Sequence, residues 1–287
     1  MTTIWELDFY SRPILDEDQK KLWEVLICES PLSVDAEVDQ LFRHAEYCSS
    51  TEINSVRLQE ALKQAIARAP QPPDRIRFFR QSMNNMITKA CNDMGIPALL
   101  SRRTYTLNQW LAQRMTEEYP KHPGFQVGNS ASVSFAETPP QPLPDALRGQ
   151  KWAFVTLEAD AFSDMGEWAV DFGEAFPLSL AGIAPDAKIP GLVIYSSRAV
   201  PMAAWMSGLE LGFLQLDPGP PSRLMLQTGV SDRWILVPLA SSQLQTEAGN
   251  FETAKRAANG VHFIAIQSGA ETEAFAGFWL LQEPDFA

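Results

Sequence analysis

Cysteine and histidine are scarce in this 287-residue chain, three of each, and neither type is grouped. Cys28, Cys48 and Cys91 form no CxxC pair, and His44, His122 and His262 are scattered. A structural zinc is therefore not expected, and buried, reduced thiols are. No run of about eighteen apolar residues occurs, so no membrane span is expected. The N-terminus opens on a strand-like segment, Thr3 to Phe9, in place of a basic and hydrophobic leader, which predicts a soluble, untargeted protein. GxSxG, Walker and GxGxxG motifs are missing, as is a Ser-His-Asp order; Gly124 and Gly128 follow a proline loop instead of a strand. No catalytic residue, cofactor or metal is expected.

Positive charge is also in short supply. The net charge is -12, which opposes binding to nucleic acid, where neutralisation of phosphates dominates affinity. The distribution qualifies this: from Asn54 to His122 eleven Lys and Arg stand against five Asp and Glu, a stretch of net +6 that leaves -18 for the rest. An acidic protein with one basic stretch can orient a polyanion on that stretch and repel it elsewhere. An ordinary solvated face is the plainer reading of the same residues.

At 45% apolar the composition is that of a globular protein with one large core or two ordinary ones. Alternation over Thr3–Tyr10 and Lys20–Glu29, with turn chemistry at Asp16 to Asp18, predicts an antiparallel hairpin. Asn54 offers an N-cap to a helix that must stop at Pro70, and Asp74–Arg80 reads as a strand. A second helix carries Met83, Met86, Ile87, Ala90 and Met94 on one stripe up to Gly95. A third is predicted over Thr106–Tyr119, opened by Thr106 and Gln109 at capping-box spacing. Six prolines between Pro120 and Gly149 mark an extended connection. Beyond it, strands are predicted at Lys151–Leu157, Gly191–Ser196, Leu209–Leu216, Arg223–Gly229 and Arg233–Leu239. A helix opened by Ser242 and Gln245 runs to Asn259 and Gly260, and strands at Val261–Gln267 and Phe275–Gln282 close the chain. The fold expected is mixed α/β: an N-terminal domain over 1–120, the connection over 121–150 and a C-terminal domain over 151–287, each with a mixed sheet. Each half runs strand meander, helix, strand, an order reminiscent of the ribonuclease H fold.

Three strings stand out from this background: WELDFYSRPILD from Trp5 to Asp16, SRAVPMAAWMSGLE from Ser197 to Glu210, and GFWLL from Gly277 to Leu281. With IRFFRQSMNNMITKAC at Ile76–Cys91, KHPGFQ at Lys121–Gln126 and VHFIAIQ at Val261–Gln267, they resemble the Tab and Atab type of RNA-binding translation activators. These promote synthesis of a photosystem I reaction-centre subunit in algae and plants and have cyanobacterial relatives. The resemblance spans nearly the whole chain. It implies a partner in single-stranded A/U-rich leader RNA, with photosystem I biogenesis, and also photosystem II, as the setting. Translation machinery and photosystem assembly factors are further partners it allows. Without a transit peptide, it implies a cyanobacterial cytoplasm. In the resemblance Trp279, Leu280 and Leu281 are implicated in RNA binding.

From the residues themselves, Arg75, Arg77 and Arg80 accompany Phe78 and Phe79, Lys89 follows on the next helix, and Arg102 and Arg103 precede Tyr105. Cations beside rings suit single-stranded RNA, the guanidinium groups holding phosphates and the rings stacking bases. Alternation sends Arg75, Arg77 and Phe79 to one side of the strand and Ile76, Phe78 and Arg80 to the other. Equally, the rings are core and the arginines paired. Arg198 stands before a short helix that could present Trp205 to a base, or bury it. Phe278–Leu281 is a continuous apolar run that reads as a buried strand, so structural support and direct RNA contact both fit it. Capture by the Arg75–Arg103 region predicts a salt slope of roughly three to five phosphates. Two other functions compete: a protein-binding scaffold without an RNA site, and a metal-dependent nuclease using Asp8, Glu60 and Asp74 or Asp93.

Overall fold

The structure, a computed structural model, describes residues 2–128, 133, 135 and 138–284. The chain divides into two compact units. One comprises Val38–Phe135 with the stretch before Leu32; the other comprises Ala136–Pro284 with Leu32–Glu37. The architecture is mixed α/β with mixed sheets.

In the first unit, strands β1 (Ile4–Leu15) and β2 (Lys21–Glu29) pair antiparallel, with Trp5 opposite Glu29. Asp16 makes their turn by accepting from the backbone N–H groups of Asp18 and Lys20. The sequence did not signal β3 (Arg43–Cys48), which lies antiparallel on β2. Helix α1 (Ser55–Arg68) starts where Asn54 Oδ1 accepts from Arg57 N at 2.9 Å and ends before Pro70. β4 (Arg75–Phe78), α2 (Asn84–Asn92), β5 (Ala98–Leu100) and α3 (Tyr105–Glu117) follow. The sheet order is β3-β2-β1-β4-β5, with β4 parallel to β1 and β5 parallel to β4.

Alternation on β1 puts Trp5, Leu7 and Phe9 against α1 and α2 with Ile76 and Phe78. The opposite face of β1 is not solvated. Glu6, Asp8 and Arg12 are buried there, and Glu6 Oε2 accepts from Leu107 N in the first turn of α3 at 2.7 Å. The capping box expected from Thr106 and Gln109 is replaced by this tertiary cap. A carboxylate from a distant strand occupies the helix terminus, where it also complements the helix dipole.

In the second unit the proline-rich connection contributes β6 (Gln141–Pro142). After it come β7 (Lys151–Glu158), β8 (Val170–Glu174), β9 (Lys188–Tyr195) and α4 (Ala199–Ser207). β10 (Leu211–Asp217), β11 (Arg223–Thr228), β12 (Asp232–Pro238), α5 (Ser242–Ala257), β13 (Val261–Gln267) and β14 (Phe275–Gln282) complete it. The strands form one sheet of order β7-β9-β13-β14-β8 and another of order β10-β11-β12-β6. One apolar cluster joins them, with α4 and α5 contributing Met202, Met206 and Phe251. Helix α5 is capped by Ser241, whose Oγ accepts from Leu244 N, one residue before the expected start. Among the described residues no helix is long and apolar enough to cross a membrane.

Candidate nucleic-acid interface

The basic stretch folds largely inward. β4 stops at Phe78, so the alternation expected to send Arg80 away from Arg77 does not reach it. Arg80 turns instead to Asp8, its Nε donating to Oδ1 at 2.6 Å, and its guanidinium lies 4.0 Å from the Tyr10 ring centroid. Asp8 Oδ2 accepts from Arg12 Nη1 at 2.9 Å, and Arg12 Nε donates to Glu24 Oε2 at 2.7 Å. Tyr119 donates to the same Glu24 oxygen at 2.6 Å, and Arg114 holds the other. Burial raises the pKa of Asp8, but the charges of Arg80 and Arg12 outweigh it and keep the carboxyl below its usual value.

Arg77 and Arg103 are each 2% exposed, and Arg102 is buried with its guanidinium 4.3 Å from the Phe135 ring centroid. Arg75 is half-buried, and Lys89 is exposed but paired with Asp93 at 2.9 Å. Of the two expectations, exposed cations beside rings or paired arginines around core rings, the burial of Arg77, Arg80, Arg102 and Arg103 matches the second. Two of the rings, Phe78 and Phe79, are core, and Arg77, Arg80, Arg102 and Arg103 are buried as well. A buried guanidinium needs partners, which makes this a structural use of arginine. The cations of α1 that stand clear of carboxylates among the described residues are Lys63 and Arg68, both exposed.

Trp279, Leu280 and Leu281 lie on β14, opposite Ile264, Phe263 and His262 of β13. Trp279 is 4% exposed and both leucines are fully buried, so all three side chains are core. A Cβ on neighbouring Gly277 would stand 2.5 Å from the Trp279 ring and 2.9 Å from Ala203 Cβ of α4. Glycine there lets α4 sit directly on the strand. The carboxylates of the nuclease reading lie apart. Asp8 holds two arginines, Glu60 faces Arg57, Asp74 accepts from Thr3 N and Asp93 pairs with Lys89. Among the described residues no His, Cys, Asp or Glu cluster suits a metal ion. Cys28, Cys48 and Cys91 are buried free thiols, and burial pushes Cys91 up to about 12.

Arg198 differs from the other candidates. It is exposed, precedes the first turn of α4, and meets no carboxylate among the described residues. Trp205, on the same helix, is half-buried and edge-on to Trp234 with centroids 5.2 Å apart. Beside Arg198 opens a cavity of about 440 Å³ lined by Asp145, Arg148, Gln150, Ser196, Ser197 and Arg198. Gln150 N donates to Tyr195 O at 2.9 Å, continuing the β7–β9 pairing. Its side-chain Oε1 accepts from Ser197 N at 3.0 Å. Gly149 makes this approach feasible, since a Cβ there would stand 2.5 Å from Ile194 Cγ2. Arg148 and Gln150 escaped the sequence reading because they sit at the end of the aperiodic connection, and only strand pairing brings them to Arg198.

Known proteins match this chain over nearly its whole length. A family model described as RNA-binding protein Tab2/Atab2 N terminal matches residues 4–114, and that of the Tab2/Atab2 C-terminal domain matches residues 130–282. The chloroplastic protein TAB2 homolog of Zea mays is 41% identical over 284 residues, covering 96% of this chain and 70% of the maize protein. The chloroplastic TAB2 homolog of Arabidopsis thaliana is 40% identical over 285 residues, 96% of this chain and 74% of that one.

Proposed function

The chain belongs to the Tab2/Atab2 family of RNA-binding proteins, and from that premise we propose that it binds single-stranded A/U-rich leader RNA and supports synthesis of photosystem I reaction-centre proteins. The observation that carries the siting of this activity is Arg198. Of the candidate cations it is the one that is exposed, clear of carboxylates among the described residues, and set at the start of an apolar helix. Guanidinium groups anchor phosphates without reading sequence, so Arg198 supplies attachment and register. Discrimination falls to neighbouring polar and aromatic groups, among them Ser197 and Trp205.

The buried arginines of the first unit take part indirectly, by holding that unit together. Trp279 and Leu281 likewise support α4 from below, and Leu280 is buried on the other face of β14. The test is fluorescence anisotropy with a labelled single-stranded A/U-rich leader and with a duplex of the same sequence. Preferential binding of the single strand, weakened by Arg198→Gln, is expected. Equal binding to the duplex contradicts the reading, and indifference to Arg198→Gln contradicts its siting at α4.

One feature favours a protein-binding scaffold as the second reading. Helix α4 presents Val200, 53% exposed, and exposed Pro201 and Ala204 to solvent, an apolar surface of the kind that docks partners. Failure of the purified protein to bind any single-stranded RNA in the same assay selects this reading.

A further inference from the structure

We propose that the cavity between the end of the proline-rich connection and the start of α4 is a phosphate seat, held by Arg148, Gln150, Ser196, Ser197 and Arg198. Its source in the cell, an RNA backbone phosphate, rests on the reading above; the seat itself rests on the donor inventory. The lining offers two guanidinium groups, two hydroxyls and a carboxamide against a single carboxylate, that of Asp145. Asp145 engages Arg148 at 3.0 Å, but both side chains are largely exposed, so this pair is weak and readily exchanged. Arg198 has no such partner among the described residues.

Two polar side chains of the lining are left with unused donors. Ser196 is 2% exposed, and its Oγ accepts from Arg198 N at 3.1 Å. Among the described residues its own proton meets no acceptor. Gln150 spends its Oε1 on Ser197 N, which turns the carboxamide so that its Nε2 protons are left without an acceptor among the described residues. A buried hydroxyl and an exposed amide oriented by its bond to Ser197 N, each with protons to give, flank the two arginines. The start of the nine-residue α4 adds the positive end of its dipole. Such a set matches a tetrahedral oxyanion, whose several oxygens accept from many donors at once. A neutral ligand would bring no counter-charge to the Arg198 guanidinium. The cavity, about 440 Å³, is of small-molecule size and leaves room for the ribose attached to that phosphate.

The seat is tested on the full chain by amide chemical-shift titration with inorganic phosphate, uridine 5′-monophosphate and uridine, alongside binding of the single-stranded leader. Both phosphate-bearing probes should shift the signals of Gln150, Ser197 and Ala199, and uridine should not. Arg148→Gln and Arg198→Gln, exposed and harmless to the fold, should each weaken uridine 5′-monophosphate by roughly tenfold. Lys63→Ala, an exposed cation of the first unit, should leave it unchanged. Equal shifts with uridine, silence with both phosphate probes, or wild-type affinity in both arginine variants overturns the seat. If phosphate shifts these signals while the leader RNA does not bind, the seat stands and the RNA reading falls. If the leader binds but phosphate is silent and the variants bind it normally, the seat falls and the RNA reading stands.

Discussion

Arg80 Nε donates to Asp8 Oδ1 at 2.6 Å across the sheet of the first unit, and both side chains are buried. The pair shows why a stretch of net +6 does not make a basic surface. Its arginines are matched to acids elsewhere in the sequence: Arg80 to Asp8, Arg114 to Glu24 and Arg57 to Glu46. Charge counted along a chain says little about charge at the surface once the fold pairs distant residues.

Removing one member of that network leaves the others buried and uncompensated. Asp8→Ala should cost about 3 to 5 kcal/mol of stability, because Arg80 and Arg12 lose their shared acceptor. Urea unfolding at neutral pH measures it. A loss under about 1 kcal/mol would mean that the network is solvated.

Acid sensitivity should come in part from His262, which is fully buried, accepts from Leu214 N at 2.8 Å and has its Nδ1 2.8 Å from Gly260 O. Burial, then the charge of Lys255, pushes its pKa down to about 3. The folded protein therefore holds a neutral imidazole that the unfolded chain protonates near about pH 6.5. Its contribution is complete above that value and declines as pH falls toward the folded value. The loss should reach about 3 kcal/mol between about pH 7 and about pH 4. Comparison of unfolding midpoints for the wild type and His262→Gln checks this; the variant should show a shallower decline.

Trp279, Leu280 and Leu281 should govern RNA binding through stability. Leu280→Ala and Leu281→Ala delete buried side chains and should cost about 2 to 5 kcal/mol each. RNA binding should be lost in step with the folded fraction measured by circular dichroism. A variant that keeps its Tm and loses RNA would establish direct contact.

The salt dependence should be shallow. One phosphate of a single strand seated between Arg148 and Arg198 gives a slope of log K against log salt of about -0.7, whereas three to five phosphates would give roughly -2 to -3.5. Affinity measured across a range of potassium chloride distinguishes these values, and a steep slope would place the contacts on a wider basic surface.

Much of the secondary structure was legible because its signals are local. The hairpin turn at Asp16, the Asn54 cap and the stripes of α1 and α2 all lie within a few residues of what they determine. Elements set by tertiary contact were not. β3 carries Arg43, Glu46 and Tyr47 and pairs with β2 without clear alternation, and the cap of α3 comes from Glu6, about a hundred residues away. The candidate site was half legible. Arg198 and Ser197 sit in a distinctive string, but Arg148 and Gln150 reach them only through the pairing of β7 with β9. The same limit hid the inward turn of Arg80, since its buried carboxylate partner, Asp8, leaves no local trace.

RNA should meet this protein at the start of α4. Photo-crosslinking of a 4-thiouridine-substituted A/U-rich leader to the full chain, followed by mass spectrometry of the linked peptides, addresses it most directly. Crosslinks should be confined to peptides carrying Arg148–Gln150 and Ser197–Trp205. Crosslinks concentrated on Lys63–Arg68 or Arg75–Arg103, with none near Arg198, would contradict it.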